Sequence, residues 1–359
     1  MAAASHEVAH AIPRSDRIRT IKARVSAMIA QRDELAADAP SAYWADFCRF
    51  FDYVLTMSDA AFDKIRLHTY HLTSDTYLPY YLGDDVYMEQ FRRRWAALTR
   101  DTPPPLRLSE PNGGIGFQIE GNLVSFDILR FQQVVNTLHH QGVFRRLRGL
   151  DQALALDLGS GYGALAHHLR SVLSDQGNPS TFVLLDIPEV LTFSASYLSL
   201  YHPWESIYLY DEDDFEEVVS TQRLRSFRFV LLPAYRLDSL SHLRFDLVTN
   251  VHSLQEMRQA QVERYLRFIA GTLSGTFYSW NQDRSPKNTE LGGSHGPVIS
   301  ELLRSMFDAR EVTPPAGAPR ERLKSWLMEA GRRTARSAGL LPPAPSVVLD
   351  REFVCRPGR

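Results

Sequence analysis

ALALDLGSGYGALAHHL, running from Ala153 to Leu169, is the stretch that decides the fold. Leu154, Leu156 and Leu158 supply a short apolar strand. Gly159, Gly161 and Gly163 then strip side chains from a turn where a ligand can approach the backbone. The helix that follows opens with free N–H groups and the positive end of its dipole, which suits an anionic or polar ligand. Asp157 stands at the carboxyl end of the strand, two residues before the first glycine. Three glycines in five residues weaken a fold that has no use for them, so the turn is expected to bind something.

Further apolar runs follow at intervals. Phe182 to Leu185 ends in Asp186, and Phe227 to Leu232 stops at Pro233-Ala234. Phe245 to Val248 leads into Thr249-Asn250-Val251-His252, and Thr276 to Trp280 into Asn281-Gln282. Ala309 to Thr313 and Val347 to Cys355 read as two last strands, the final one antiparallel. Strands alternating with helical stretches predict an α/β fold, a doubly wound, Rossmann-like sheet of seven strands. Ligands of such sheets sit outside the carboxyl ends of the strands.

The spacing of Gly159, Gly161 and Ala164 also satisfies the dinucleotide fingerprint. A diphosphate, however, would be repelled by a carboxylate at position 157. S-adenosylmethionine (SAM) carries no phosphate and has two cationic centres, an ammonium and a sulfonium, so SAM is the expected cofactor. On this reading Asp157 holds the ammonium, and the backbone of Gly159, Ser160, Gly161 and Gly163 holds the carboxylate. Asp186 takes both ribose hydroxyls, farther along the chain than the ~20 residues usual for that acid. Ile187 and Ala234 flank adenine, and Asn250 and Val251 complete the cofactor site.

The whole chain has 359 residues, 44% hydrophobic and 23% charged, with a formal net charge of −2. That balance lacks the basic footprint of a nucleic-acid binder. Two cysteines, Cys48 and Cys355, offer neither a disulfide framework nor metal-ligand spacing, which points to a reducing, cytoplasmic setting with no metal. No apolar run approaches the ~20 residues of a membrane span, and no signal peptide is read.

Three segments are expected: a helical N-terminal cap over 1–105, a connector with a helix above the site over 106–150, and the cofactor-binding domain over 151–359. Ile18, Ile21, Val25 and Ile29 mark a first helix, and Ser41 caps a second. The stretch from Arg66 to Tyr81 is rich in Tyr, His and Thr; Tyr70, His71 and Tyr77 are candidates for a substrate wall, the alternative being an interface of the cap. Ser125 or Asp127 caps a helix to His140, on which Asp127, Arg130 and Gln133 can face the ligand. The acidic run Asp211 to Asp214 reads as a solvated loop or helix start. Ser253 to Glu256 matches a capping box opening a helix that stops at Gly271. Gly292 to Gly296, which includes His295, reads as a mobile lid or an exposed loop tip, and one helix is expected near Arg320 to Arg332.

With these elements placed, the chain resembles class I SAM-dependent methyltransferases and, within them, the bacterial sugar O-methyltransferases. The residues that carry the likeness are LDLGSGYG (156–163), LLDIPEVL (184–191), FDLVTNVHSLQEM (245–257) and YSWNQD (278–283). The resemblance implies transfer of a methyl group to a hydroxyl of a small molecule, a sugar or specialised metabolite, by in-line displacement. His252, at the end of the fourth strand, is the nominee for general base; Glu256 and His295 are the other catalytic candidates, and Arg130 and Asn281 join the substrate candidates. N- or carboxyl-methylation of a natural product, and an NAD-dependent oxidoreductase, stand as alternatives. A small-molecule acceptor is the expected partner, and a homodimer is left open.

Overall fold

The computed structural model describes residues 13–35, 39–73, 75–174, 179–220, 222–283, 288, 290–291, 298–312 and 350–358. His295, the 292–296 segment and the helix expected near 320–332 lie outside the described residues.

Beside a two-stranded hairpin (Phe117–Ile119 with Asn122–Val124), the described chain builds one mixed sheet of eight strands: β1 (Leu154–Leu158), β2 (Thr181–Asp186), β3 (Ile207–Leu209), β4 (Phe229–Pro233), β5 (Phe245–Val251), β6 (Leu273–Gln282), β7 (Phe307–Glu311) and β8 (Asp350–Pro357). Their order is β3-β4-β2-β1-β5-β6-β8-β7. The six strands from β3 to β6 in that order are parallel, and β8 runs antiparallel to both β6 and β7. The strand count therefore exceeds expectation by one. The extra strand, β3, has three residues and pairs only with β4, with Ile207 opposite Phe229; so short a run leaves almost no period to read. β1 is buried at all five positions, because helices cover both faces of a parallel sheet.

Helices α1 (Arg14–Asp33), α2 (Ala42–Thr56), α3 (Asp85–Thr99), α4 (Phe126–His140), α5 (Ala164–Ser174), α6 (Pro188–Tyr201) and α7 (Gln259–Thr272) position the site. α1 buries Ile18, Ile21, Val25 and Met28, so the stripe rotates onto Met28 where the sequence suggested Ile29. At its end Arg32 reaches the buried Glu189 of α6, with Nη1 2.7 and 2.6 Å from the two carboxylate oxygens. Ser41 caps α2, accepting from the Trp44 N–H at 3.4 Å, and Phe51 of α2 meets Phe193 of α6 with ring centroids 5.1 Å apart. The cap is thereby held against the second βα unit of the sheet.

One local reading changes. The Ser253–Glu256 capping box does not form: Leu254–Glu256 is a single 3-10 turn, and α7 starts later, where Gln261 Oε1 accepts from the Arg258 N–H at 3.1 Å. Ser253 is drawn away because its hydroxyl bonds the Leu158 carbonyl at 3.2 Å. The acidic run is a helix start, one of its two expected readings: it leads into a short helix at Phe215–Ser220, with Glu212 and Asp213 exposed, while Asp211 pairs with Arg24 of α1 at 2.6 Å. Among the described residues no cluster of His, Cys, Asp and Glu could hold a metal ion, and no helix is long and apolar enough to cross a membrane.

Candidate functional site

The polypeptide leaves β1 through three left-handed glycines: Gly159 (φ +66°), Gly161 (φ +56°) and Gly163 (φ +80°). Their reasons differ. A Cβ on Gly159 would overlap the Cβ and Oγ of Ser253, so this glycine admits the loop after β5. A Cβ on Gly161 would meet nothing within 4 Å. A Cβ on Gly163 would meet Ser194, Leu184 and Leu198 at 3.2–3.3 Å, and this glycine does not line the cavity.

The turn opens into a cavity of about 200 Å³ at the carboxyl ends of the strands. Asp157 and Asp186 line it, together with Gly159, Ser160 and Gly161. Asp157 Oδ1 accepts from the Thr249 hydroxyl at 2.6 Å, while its buried Oδ2 makes no hydrogen bond. Asp186 accepts from the Gly161 and Ile187 N–H groups, both at 2.8 Å. Burial pushes both carboxyls up to about 7; the Thr249 bond opposes the shift at Asp157, and the two N–H bonds oppose it at Asp186. A cation placed here would restore their ionised forms. Ile187 and Ala234 form the far wall.

Val251 and His252 line the cavity at the end of β5. His252 sits in the left-handed region at φ +59°, its N–H bonded to the Trp280 carbonyl at 2.8 Å and its ring 4.9 Å from that of Trp280. A non-glycine residue held at positive φ is overdetermined by its surroundings, a condition that clusters at functional sites. Glu256 also lines the cavity; its backbone carbonyl accepts from Ser41 Oγ at 2.7 Å, bringing the cap to the site.

Five sequence candidates sit elsewhere. Asn250 donates to the Leu158 carbonyl at 2.8 Å, and its Oδ1 accepts from Asn281 at 2.8 Å. Both side chains are buried between strands, tying β5 to β1 and β6, and neither lines the cavity. The Tyr77 hydroxyl accepts from Arg66 Nη1 at 2.6 Å. His71 packs between Phe50 and Tyr70, at centroid distances of 4.6 and 3.7 Å, and Tyr70 is exposed. The aromatic stretch is thus mainly the cap's own packing, and among its described residues Leu72 and Thr73 reach the cavity.

Arg130 and Asp127 of α4 do line the cavity. Residues the sequence did not suggest complete the wall, among them Trp44, Tyr162, Gln255, Tyr265, Gln282 and Asp350. Both oxygens of Asp350 are buried without a hydrogen-bond partner. Its one signal was its place at the mouth of the last strand, where the register sets it opposite Gln282.

The sheet order, the antiparallel β8 between β6 and β7, and the glycine turn after β1 together make a doubly wound, Rossmann-like fold. No protein-family profile matches the chain, and no curated protein matches it. Among solved structures the chain is similar to the mitomycin 7-O-methyltransferase MmcR, with 15% identity over 74% of this chain and 68% of that one and a TM-score of 0.34. It is similar to DhpI, solved as its SAH complex, at 13% identity over 62% and 85% of the two chains, TM-score 0.30. A candidate O-methyltransferase of Nostoc punctiforme matches at 12% identity and TM-score 0.30 over 63% of this chain; the match spans 59% of the Nostoc protein, under two thirds of its length.

Proposed function

We propose that the chain is a SAM-dependent methyltransferase whose acceptor is a hydroxyl of a small polar molecule, such as a sugar or a specialised metabolite. One observation carries the reading: two carboxyls, the buried Asp157 and the half-buried Asp186, close the ends of adjacent strands around a glycine turn. A pyrophosphate would have to lie beside Asp157 and would raise its electrostatic cost. A nucleoside with an ammonium and a sulfonium removes that cost.

The residues present fit such a cofactor. Asp157 keeps one buried oxygen without a hydrogen bond, as an ammonium acceptor requires. Asp186 would hold the ribose, with Ile187 and Ala234 beside the base. When bound, SAM supplies a methyl group activated by its sulfonium. The protein then has to position the acceptor, exclude water and receive the hydroxyl proton. His252 is the nominee for that proton, because its backbone strain fixes it on the cavity wall and an imidazole titrates near neutrality. Glu256 is its neighbour on the same wall. Thr73, Gln255, Gln261 and Gln282 beside Trp44 and Met257 suit a hydroxylated ring, polar at its edges and apolar on a face.

Titration calorimetry with SAM, S-adenosylhomocysteine and NAD in parallel tests the reading. The expected result is binding of the first two and none of the third, with Asp186→Ala raising the dissociation constant of SAM at least tenfold. Binding of NAD without SAM would overturn it.

A further inference from the structure

Asp127 and Arg130 lie three residues apart on α4 and share one face of it, as i,i+3 side chains do. Both line the cavity beside Ser160 and Tyr162 of the glycine turn. The Asp127 side chain is fully buried, and its two oxygens are treated differently. Oδ2 is held on two sides, by Arg66 Nη2 at 3.1 Å and by the Tyr162 hydroxyl at 3.1 Å. Oδ1 makes no hydrogen bond. It faces Arg130 Nη1 at 3.7 Å, too far for one.

Arg130 is in a matching state. Its guanidinium lies over the Phe126 ring at 4.8 Å, and its buried Nε has no hydrogen-bond partner. The ion pair therefore leaves an acceptor and a donor both unused in a buried wall, where such groups are ordinarily satisfied. Arg66 keeps Asp127 from turning to close the pair: it also bonds Glu110 at 2.6 Å and the Tyr77 hydroxyl at 2.6 Å. Tyr162 ties the same carboxylate to the glycine turn, so the pair stands at a set distance from the cofactor cradle. The pair offers one unused acceptor and one unused donor, so a group that carries both an ammonium and a carboxylate meets both; a lone anion or a lone cation leaves one of them unmade.

Resting on the methyltransferase reading above, we propose that Asp127 and Arg130 clamp the amino-acid end of SAM, Arg130 donating to its carboxylate and Asp127 Oδ1 accepting from its ammonium. Asp157 Oδ2 then serves as a second acceptor for the ammonium. This moves Arg130 from the acceptor side, where sequence alone put it, to the cofactor side. Arg66 and Tyr162 act through Asp127 as positioning residues.

Two ligands that differ only at that end test the clamp by calorimetry: S-adenosylhomocysteine, and 5′-methylthioadenosine, which lacks the amino acid. Wild-type protein should bind the first at least tenfold more tightly. Arg130→Gln should weaken S-adenosylhomocysteine at least tenfold and change 5′-methylthioadenosine less than twofold, with Arg130→Lys recovering part of the loss. Arg130 sits at the cavity wall, so its variants avoid the folding risk of Asp127→Asn in the buried Arg66 network. Unchanged S-adenosylhomocysteine affinity in Arg130→Gln overturns the clamp and returns Arg130 to the acceptor. Equal loss for both ligands also overturns it, since a general distortion of the wall would do that. If wild-type protein binds neither nucleoside, the methyltransferase reading itself falls.

Discussion

Replacing Gly159 by alanine should damage stability much more than the same change at Gly161, although both glycines are left-handed and two residues apart. The conformational cost is common to the two: an L-residue forced into the left-handed region loses ~1–2 kcal/mol. The surroundings separate them. At Gly161 a methyl group enters space with no atom within 4 Å, so the cost stops there. At Gly159 it collides with Ser253, whose hydroxyl is bonded to the Leu158 carbonyl and to Asn250, and the loop after β5 must shift. Overpacking of that kind costs a further ~1–3 kcal/mol, giving ~2–5 kcal/mol at Gly159. Urea unfolding of both variants reads the difference. The assay has an internal control in Ser253→Gly, which removes the colliding atoms. In that background Gly159→Ala should cost at least ~1 kcal/mol less than in wild type, a coupling expected only between residues in contact. Additive effects, or equal losses at the two glycines, would refute the packing argument. Gly161→Ala should lose no more than the ~1–2 kcal/mol conformational cost and show its larger defect in binding, with S-adenosylhomocysteine affinity lowered.

Other perturbations probe separate parts of the molecule. His252→Asn and His252→Gly, both tolerant of positive φ, should cut turnover ~10²–10⁴-fold while leaving S-adenosylhomocysteine affinity within threefold. A drop below fivefold would remove His252 from proton transfer. Arg32→Met strands the buried Glu189 and should cost ~3–5 kcal/mol in urea unfolding, with Arg32→Met/Glu189→Leu recovering most of it; a loss under ~1 kcal/mol would show the pair to be idle. The His167–His202 contact, 2.8 Å between Nδ1 and Nε2, gives a pH signature. Burial holds His167 down to about 4 and His202 to about 3, the latter helped by His167, Arg228 and Arg170. Because unfolding lets each take up a proton at its ordinary value near 6.5, they stabilise the fold above that pH and lose the contribution as pH falls toward 4. Asp157 and Asp186, raised to about 7, act in the opposite sense over the same window in the ligand-free protein, so wild type alone is a poor readout. The melting-temperature deficit of His202→Phe against wild type should instead shrink between pH 7 and pH 5; a constant deficit would contradict the buried-neutral assignment.

The parallel half of the sheet was legible because its strands are buried on both faces and read as unbroken apolar runs with an acid or amide at the tip. Helix α4 and its Ser125 cap were legible for a similar reason: a hydroxyl that bonds the Ile128 N–H at 3.0 Å leaves a mark three residues long. Strand β3 was not, being three residues long. Ser253 misled because a capping-box pattern is local, and its hydroxyl was claimed by Leu158, far away in sequence. Asn250 and Asn281 stand at strand tips like the acids, yet they face into the sheet and bond each other; which face a strand-end side chain takes depends on register with its neighbours.

By itself, then, the sequence determined the glycine turn, the two acids beside it and the doubly wound order of the chain, because these follow from contacts within a few residues. The tertiary structure alone decided which polar groups were left with unmade hydrogen bonds. Glu110 and Asp127 are drawn to Arg66 from separate segments of the chain, and only the packing of cap, connector and sheet shows that one oxygen of Asp127 is spoken for and the other is not. Satisfaction of a buried polar atom depends on every neighbour that reaches it, and those neighbours are set by the fold as a whole.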